Sequence, residues 1–76
     1  MKYQPNSIDL AWAQRMIALI KDGGILAYPS TRVIYKLDRS NRRLVLQNPE
    51  QLRERDSKEI HEQTKDVFSV LGWKVE

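Results

Sequence analysis

Cysteine is absent from the 76 residues and histidine occurs once. A disulfide framework, a thiolate nucleophile and a Cys-ligated zinc are therefore excluded, and a single histidine cannot build a multi-histidine metal cluster within one chain. Long apolar runs are missing too. The longest uninterrupted one is Met16-Ile17-Ala18-Leu19-Ile20, far below the roughly 18 residues that a membrane span requires. Gln4, Pro5, Asn6, Ser7 and Asp9 interrupt the first stretch that could serve as a secretory h-region, and Gln14 and Arg15 interrupt the next. The chain is accordingly expected in the cytoplasm, which the lack of cysteine permits. There are no internal repeats and no low-complexity tract.

What is present is ordinary globular composition. Hydrophobic residues make up 41% and charged residues 30%, too apolar for a disordered chain and too polar for a membrane protein. The length is about half that of a usual domain. It is expected to form one domain over residues 1 to 76 with one small core, without the two lobes that frame a cleft.

Turn and cap residues divide the chain. Residues 1 to 6 carry no period, although 2 to 4 can form an extended stretch. From Ile8, the residues Ile8, Trp12, Met16, Leu19 and Ile20 share one side at helical spacing, and Leu10, Ala13 and Ile17 widen it. Asn6 or Ser7 can cap that helix, Asp9 suits its positive end, and Gly23-Gly24 is expected to stop it. Three short segments rich in β-branched or aromatic residues follow at 25 to 28, 32 to 38 and 43 to 47, separated by turns at Pro29-Ser30-Thr31 and at 38 to 42. An even-numbered loop around Ser40-Asn41 sets Leu44 opposite Leu37 and Leu46 opposite Tyr35. Val33, Tyr35, Leu37, Leu44 and Leu46 then share one face, and Arg32, Ile34, Lys36, Asp38, Arg43, Val45 and Gln47 lie on its reverse.

Asn48-Pro49-Glu50-Gln51 reads as a helix start with a capping asparagine. Leu52 is the only apolar residue between Glu50 and Glu59, so a short, loosely held turn or helix is expected, then a restart capped by Asp56 or Ser57. In the second helix Ile60, Thr64, Val67, Phe68 and Leu71 form one buried stripe. Gly72 ends it, Trp73 folds back on Phe68, and residues 73 to 76 can add a brief edge strand. The expected fold is α+β in the order α-β-β-β-α, a three-stranded antiparallel meander with both helices packed on one face.

No catalytic constellation emerges, and no cofactor or metal ligand set. His61 lies beside Glu62 with Ser57 and Lys65 one turn away; it is expected on the helix surface, among ordinary charge pairs such as Glu54 with Lys58. Pairs such as Glu59 with Glu62 lack calcium-loop spacing and have lysine neighbours. Gly23-Gly24 precedes a strand, so it is no phosphate loop. Ser30, Thr31 and Arg32 could form a small anion site, although a tight turn explains them equally well.

Residues 23 to 37, GGILAYPSTRVIYKL, resemble the opening strand and turn of the threonylcarbamoyl-adenylate synthases, where a Gly-Gly-strand-Pro-Thr segment leads into Thr-Val-Tyr-Gly-Leu. Ser30 stands in place of the threonine, one extra residue separates Pro29 from Tyr35, and Lys36 replaces the glycine. That family's domain is more than twice as long and its other nucleotide-binding residues have no counterpart here. The resemblance thus implies a strand and a turn, and no activity. The order of elements is also similar to that of the double-stranded RNA-binding domain, whose second helix opens with a phosphate-gripping lysine cluster. Here Arg53, Arg55 and Lys58 alternate with Glu54, Asp56 and Glu59, which largely cancels the field a phosphate would feel. That resemblance implies a fold and no ligand.

The positive functional signal is the distribution of the formal net charge of +3. Residues 32 to 43 hold Arg32, Lys36, Arg39, Arg42 and Arg43 against Asp38 alone, whereas residues 50 to 66 hold more carboxylates than cations. Arg32, Lys36 and Arg43 interleave with Ile34 and Val45, and Arg39 and Arg42 sit at the hairpin turn. This surface suits an acidic protein partner or a second copy of the chain, and alternatively a nucleic-acid backbone. Stacking on single-stranded bases would need exposed aromatics, and only Tyr3, Tyr28 or Trp73 are candidates. The expectation is a non-catalytic interaction module with no cofactor, no metal and no membrane contact.

Overall fold

Asn6 sets where the first helix begins. Its side chain accepts a hydrogen bond from the Asp9 amide at 2.9 Å, giving helix α1 (Ser7–Leu19) the N-cap its sequence promises. The computed structural model describes residues 4–28 and 31–76. The extended stretch expected at 2 to 4 lies outside these apart from Gln4, as do the turn residues Pro29 and Ser30.

Strands β1 (Ile25–Tyr28), β2 (Val33–Asp38) and β3 (Arg43–Leu46) follow α1, then a 3-10 turn (Pro49–Arg53), helix α2 (Arg55–Val70) and strand β4 (Lys74–Val75). The four strands form one mixed sheet in the order β1-β2-β3-β4. The first three are an antiparallel meander, and β4 lies parallel to β3. The even-loop register is the one adopted, with Leu37 opposite Leu44 and Tyr35 opposite Leu46. Burial alternates accordingly: Val33, Tyr35, Leu37 and Leu44 are buried and Lys36 is exposed. These four join Ala13 from α1, Leu26 from β1, and Val67 and Phe68 from α2 in one core, with Trp12, Met16, Leu46, Leu71 and Trp73 against it.

Several boundaries differ from expectation, each for a local reason. Helix α1 stops at Leu19, before the two glycines, because Ile20 turns extended. Gly23, at φ +80, belongs instead to the turn that leads into β1, and a Cβ on Gly24 would stand 2.6 Å from Ile20 Cγ2. Arg32 is not in β2. It takes a positive φ as the last residue of the first hairpin loop, as Arg42 does in the second. Asn48 does not cap the turn after it. Its amide side chain instead continues the ladder beyond β3, accepting from the Ile34 amide at 3.1 Å and donating to the Arg32 carbonyl at 2.6 Å. Neither Asp56 nor Ser57 caps α2. Glu54 holds the N-cap position without a side-chain bond, and Ser57 is fully buried one turn further on.

The other end of α2 follows its sequence. Gly72, at φ +81, lets its own amide donate to the Ser69 carbonyl and the Trp73 amide to the Phe68 carbonyl, the paired bonds of a Schellman ending. That turn redirects the chain so that the Lys74 amide reaches the Arg42 carbonyl at 2.9 Å and β4 docks on β3.

Candidate functional site

The seven residues expected to bind a partner occupy β2, β3 and the two loops, but their cations are not equivalent. Arg43 is half-buried, 2.9 Å from Asp38 and 3.2 Å from Glu76. Two carboxylates therefore meet one guanidinium, and hydrogen bonds from Asn41 and Arg43 hold the Asp38 carboxyl below the usual carboxylate range. Arg39 is also committed. Its guanidinium donates to the carbonyls of Ile17 and Ile20 at the C-terminal end of α1, and its backbone amide donates to Asp22 at 2.9 Å. A cation there satisfies carbonyls that the helix leaves without partners and complements the negative end of its dipole.

Arg32, Lys36 and Arg42 remain. All three are exposed, and among the described residues their side chains enter no ion pair or hydrogen bond. Arg32 and Arg42 close the loops at opposite ends of β2, with Lys36 on β2 between them. Both arginines hold positive φ angles, 60° and 50°, a conformation that costs an L-residue with a side chain roughly 1–2 kcal/mol. Ile34 and Val45 flank Lys36 and are half-buried on the face opposite Tyr35 and Leu44. A shallow depression bounded by Lys36, Asp38, Val45 and Gln47 marks this face.

Sequence reasoning placed Thr64 in the buried stripe of α2 but missed the burial of Ser57 and His61 in line with it. Ser57, His61 and Thr64 are all buried on α2, so His61 is not the surface residue expected. The Tyr35 hydroxyl lies 2.8 Å from His61 Nδ1, with the two rings stacked. Burial lowers the His61 pKa, an effect that Lys65 deepens and Glu62 partly opposes, and burial raises that of Tyr35. Burial therefore favours a neutral imidazole hydrogen-bonded through Nδ1 to a protonated phenol. One turn on, the Thr64 hydroxyl is 3.1 Å from the Tyr28 hydroxyl and 2.7 Å from the Ile60 carbonyl. One turn back, the Ser57 hydroxyl donates to the Thr31 carbonyl at 3.0 Å.

The signal for this line was the alignment of Ser57, His61 and Thr64 with Phe68 at helical spacing; the charged neighbours of His61 obscured it. The arrangement orients α2 against the sheet. Both pKa shifts hold their groups in the neutral form, so the buried pair carries no charge near neutral pH. Of the three residues considered as a small anion site, Ser30 lies outside the described residues, Arg32 is exposed, and the Thr31 hydroxyl is buried without a hydrogen-bond partner. At the start of α2, Arg55 is spent on Glu59 at 3.6 Å.

Among the described residues no three His, Asp or Glu side chains are placed to hold a metal ion, and no helix is long and apolar enough to cross a membrane. No protein-family model matches the chain, and no curated protein or solved structure is significantly similar to it.

Proposed function

We propose that this chain is a non-catalytic interaction module that binds an acidic protein surface through the outer face of its sheet. In this reading both helices cover one sheet face and leave the other for the partner. Arg32, Lys36 and Arg42 supply the charge, and Ile34 and Val45 supply the apolar contact between them. Arg39 and Arg43 contribute indirectly, by fixing the hairpin that presents Arg42.

The observation that carries the proposal is the pair of arginines at positive φ. Glycine or asparagine would occupy those positions at lower energy, and residues kept in a costly conformation cluster where their side chains are used. Arg32→Gly and Arg42→Gly should each raise stability by about 1 kcal/mol while weakening capture of an acidic peptide. Thermal melts and fluorescence anisotropy with a poly-glutamate probe measure the two effects. If both variants bind as the parent does, the arginines are not the contact. Ile34→Asp with Val45→Asp should likewise leave the fold intact and abolish capture.

Nucleic-acid binding through the same surface is the second reading, favoured by the three unpaired cations alone. It requires affinity that falls with salt, with a log-log slope of no more than about 3 for three cations. A flat anisotropy titration against salt would reject it.

A further inference from the structure

We infer that this chain self-associates by pairing the free edge of β1 with the same edge of a second copy, in one register. The inference does not depend on the outer-face proposal.

The sheet order leaves β1 and β4 at its edges, and the two differ. Strand β4 has two residues, Lys74–Val75; a short strand bearing a lysine is a common way to blunt an edge. Strand β1, Ile25–Tyr28, carries no charge and no proline, and its Ile25 side chain is 52% exposed.

Hydrogen bonds on the β2 side show which amides are left over. The Leu37 amide donates to the Gly24 carbonyl at 2.9 Å and the Arg32 amide to the Tyr28 carbonyl at 2.8 Å. Even-numbered residues of β1 therefore face β2, and by alternation the N–H and C=O groups of Ile25 and Ala27 face away from the sheet.

This parity limits the ways two copies can pair antiparallel about a two-fold axis. A hydrogen-bonded pair needs an outward residue on each strand. Ala27 opposite Ala27 would bring Ile25 opposite Pro29, which has no N–H, and Ile25 opposite Ile25 would bring Ala27 opposite Gly23, which has left the strand at positive φ. Ile25 opposite Ala27 of the second copy satisfies all four outward amides and carbonyls of each strand. It sets Leu26 against its symmetry mate on the core side and covers Ile25 on the other.

A second copy is the occupant that this edge matches. The uncharged strand meets its own image without like charges opposed, and the pairing closes on itself by two-fold symmetry. A four-residue ladder covers much less than the ~1,200 Å² of a standard stable interface, so the dimer is weak and reversible.

The chain lacks cysteine, which permits a direct test of register. Opposed residues of a hydrogen-bonded antiparallel pair stand ~5.5 Å apart at Cα, within disulfide reach, whereas residues displaced by two positions stand beyond the ~7 Å limit. Oxidising a mixture of Ile25→Cys and Ala27→Cys chains should give the mixed disulfide dimer in large excess over either homodimer. Sedimentation equilibrium of the unmodified chain should show dimer growing with concentration. Ala27→Pro, which removes only an outward N–H, should abolish that growth with the circular dichroism spectrum retained; Ala27→Lys serves if the proline variant unfolds. Monomer at all concentrations, or equal yields of all three disulfides, would overturn the inference. So would a dimer that survives the folded β1 variants. Ile34→Asp should still dimerise, which keeps failure here separate from failure of the outer-face proposal.

Discussion

The two helices insert side chains into the same core, but by different physics. Helix α2 is held at named points, with Ser57 on the Thr31 carbonyl, His61 on Tyr35 and Thr64 on Tyr28, and Phe68 is fully buried beyond them. Its opposite side is charged and solvated, with pairs such as Arg55–Glu59 and Lys65–Glu62. Helix α1 has only Asp9 and Arg15 as charged residues, and it leaves Ile8 and Leu19 at 77% and 67% exposure. Apolar contact decides that α1 packs, but such contact is non-directional. Asn6 caps its start only locally, and the polar link between α1 and the sheet is Arg39, which grips its last turn from the second hairpin loop. A strongly patterned helix thus specifies its own seat, whereas a weakly patterned one depends on what grips its end.

The sharpest way to break this comparison is to remove the anchor of α2. Phe68→Ala should cost about 3–5 kcal/mol, comparable to the whole stability expected of a domain this small, and leave the chain largely unfolded by far-UV circular dichroism. Leu19→Ala on the exposed side of α1 should change the urea midpoint by less than ~0.5 kcal/mol equivalent. Equal losses at the two sites would erase the distinction.

A smaller effect probes the end of α1. Arg39→Ala removes a charged donor from two helix carbonyls and should cost about 2 kcal/mol. Arg39→Lys should recover only part of this, because an ammonium cannot reproduce the planar fork. Hydrogen exchange should show the loss concentrated in the last turn of α1, with α2 little affected. A uniform loss would mean that Arg39 supports the hairpin more than the helix.

The weakest effect is on pH. The folded-state pKa of His61 lies below its ordinary 6.5, so between those two values the unfolded chain binds a proton that the folded chain does not. Stability is therefore full above about pH 6.5 and declines as pH falls through that window. Asp38 acts in a separate range, since its pKa is already lowered from 3.8 and its contribution is lost only in stronger acid. His61→Gln keeps an acceptor for Tyr35 and should flatten the upper window alone. A profile unchanged by that substitution would remove His61 from the account.

Much of the fold was legible because it rests on local rules. Asn6 capped, Gly72 ended α2, and the even loop set the β2–β3 register because only that pairing gathers Tyr35, Leu37, Leu44 and Leu46 on one face. The candidate site was legible in position but not in electrostatics. The even-loop register already set Asp38 across from Arg43, yet nothing in the local pattern indicated that Arg39 would reach back to α1 or that Glu76 would join Arg43. The α1 carbonyls and Glu76 lie about 20 and 30 residues away in sequence, beyond the range of any periodicity argument.

The order of letters alone therefore determined the classes of element, their inward faces and the absence of thiol chemistry, because spacing, capping and composition act within a few residues. Tertiary structure alone decided that His61 is buried, that Asn48 bridges strands instead of capping a helix, and which arginines stay unpaired. Each of those outcomes depends on whether a partner distant in sequence arrives at hydrogen-bonding distance, and only the folded arrangement of helices and sheet brings it there.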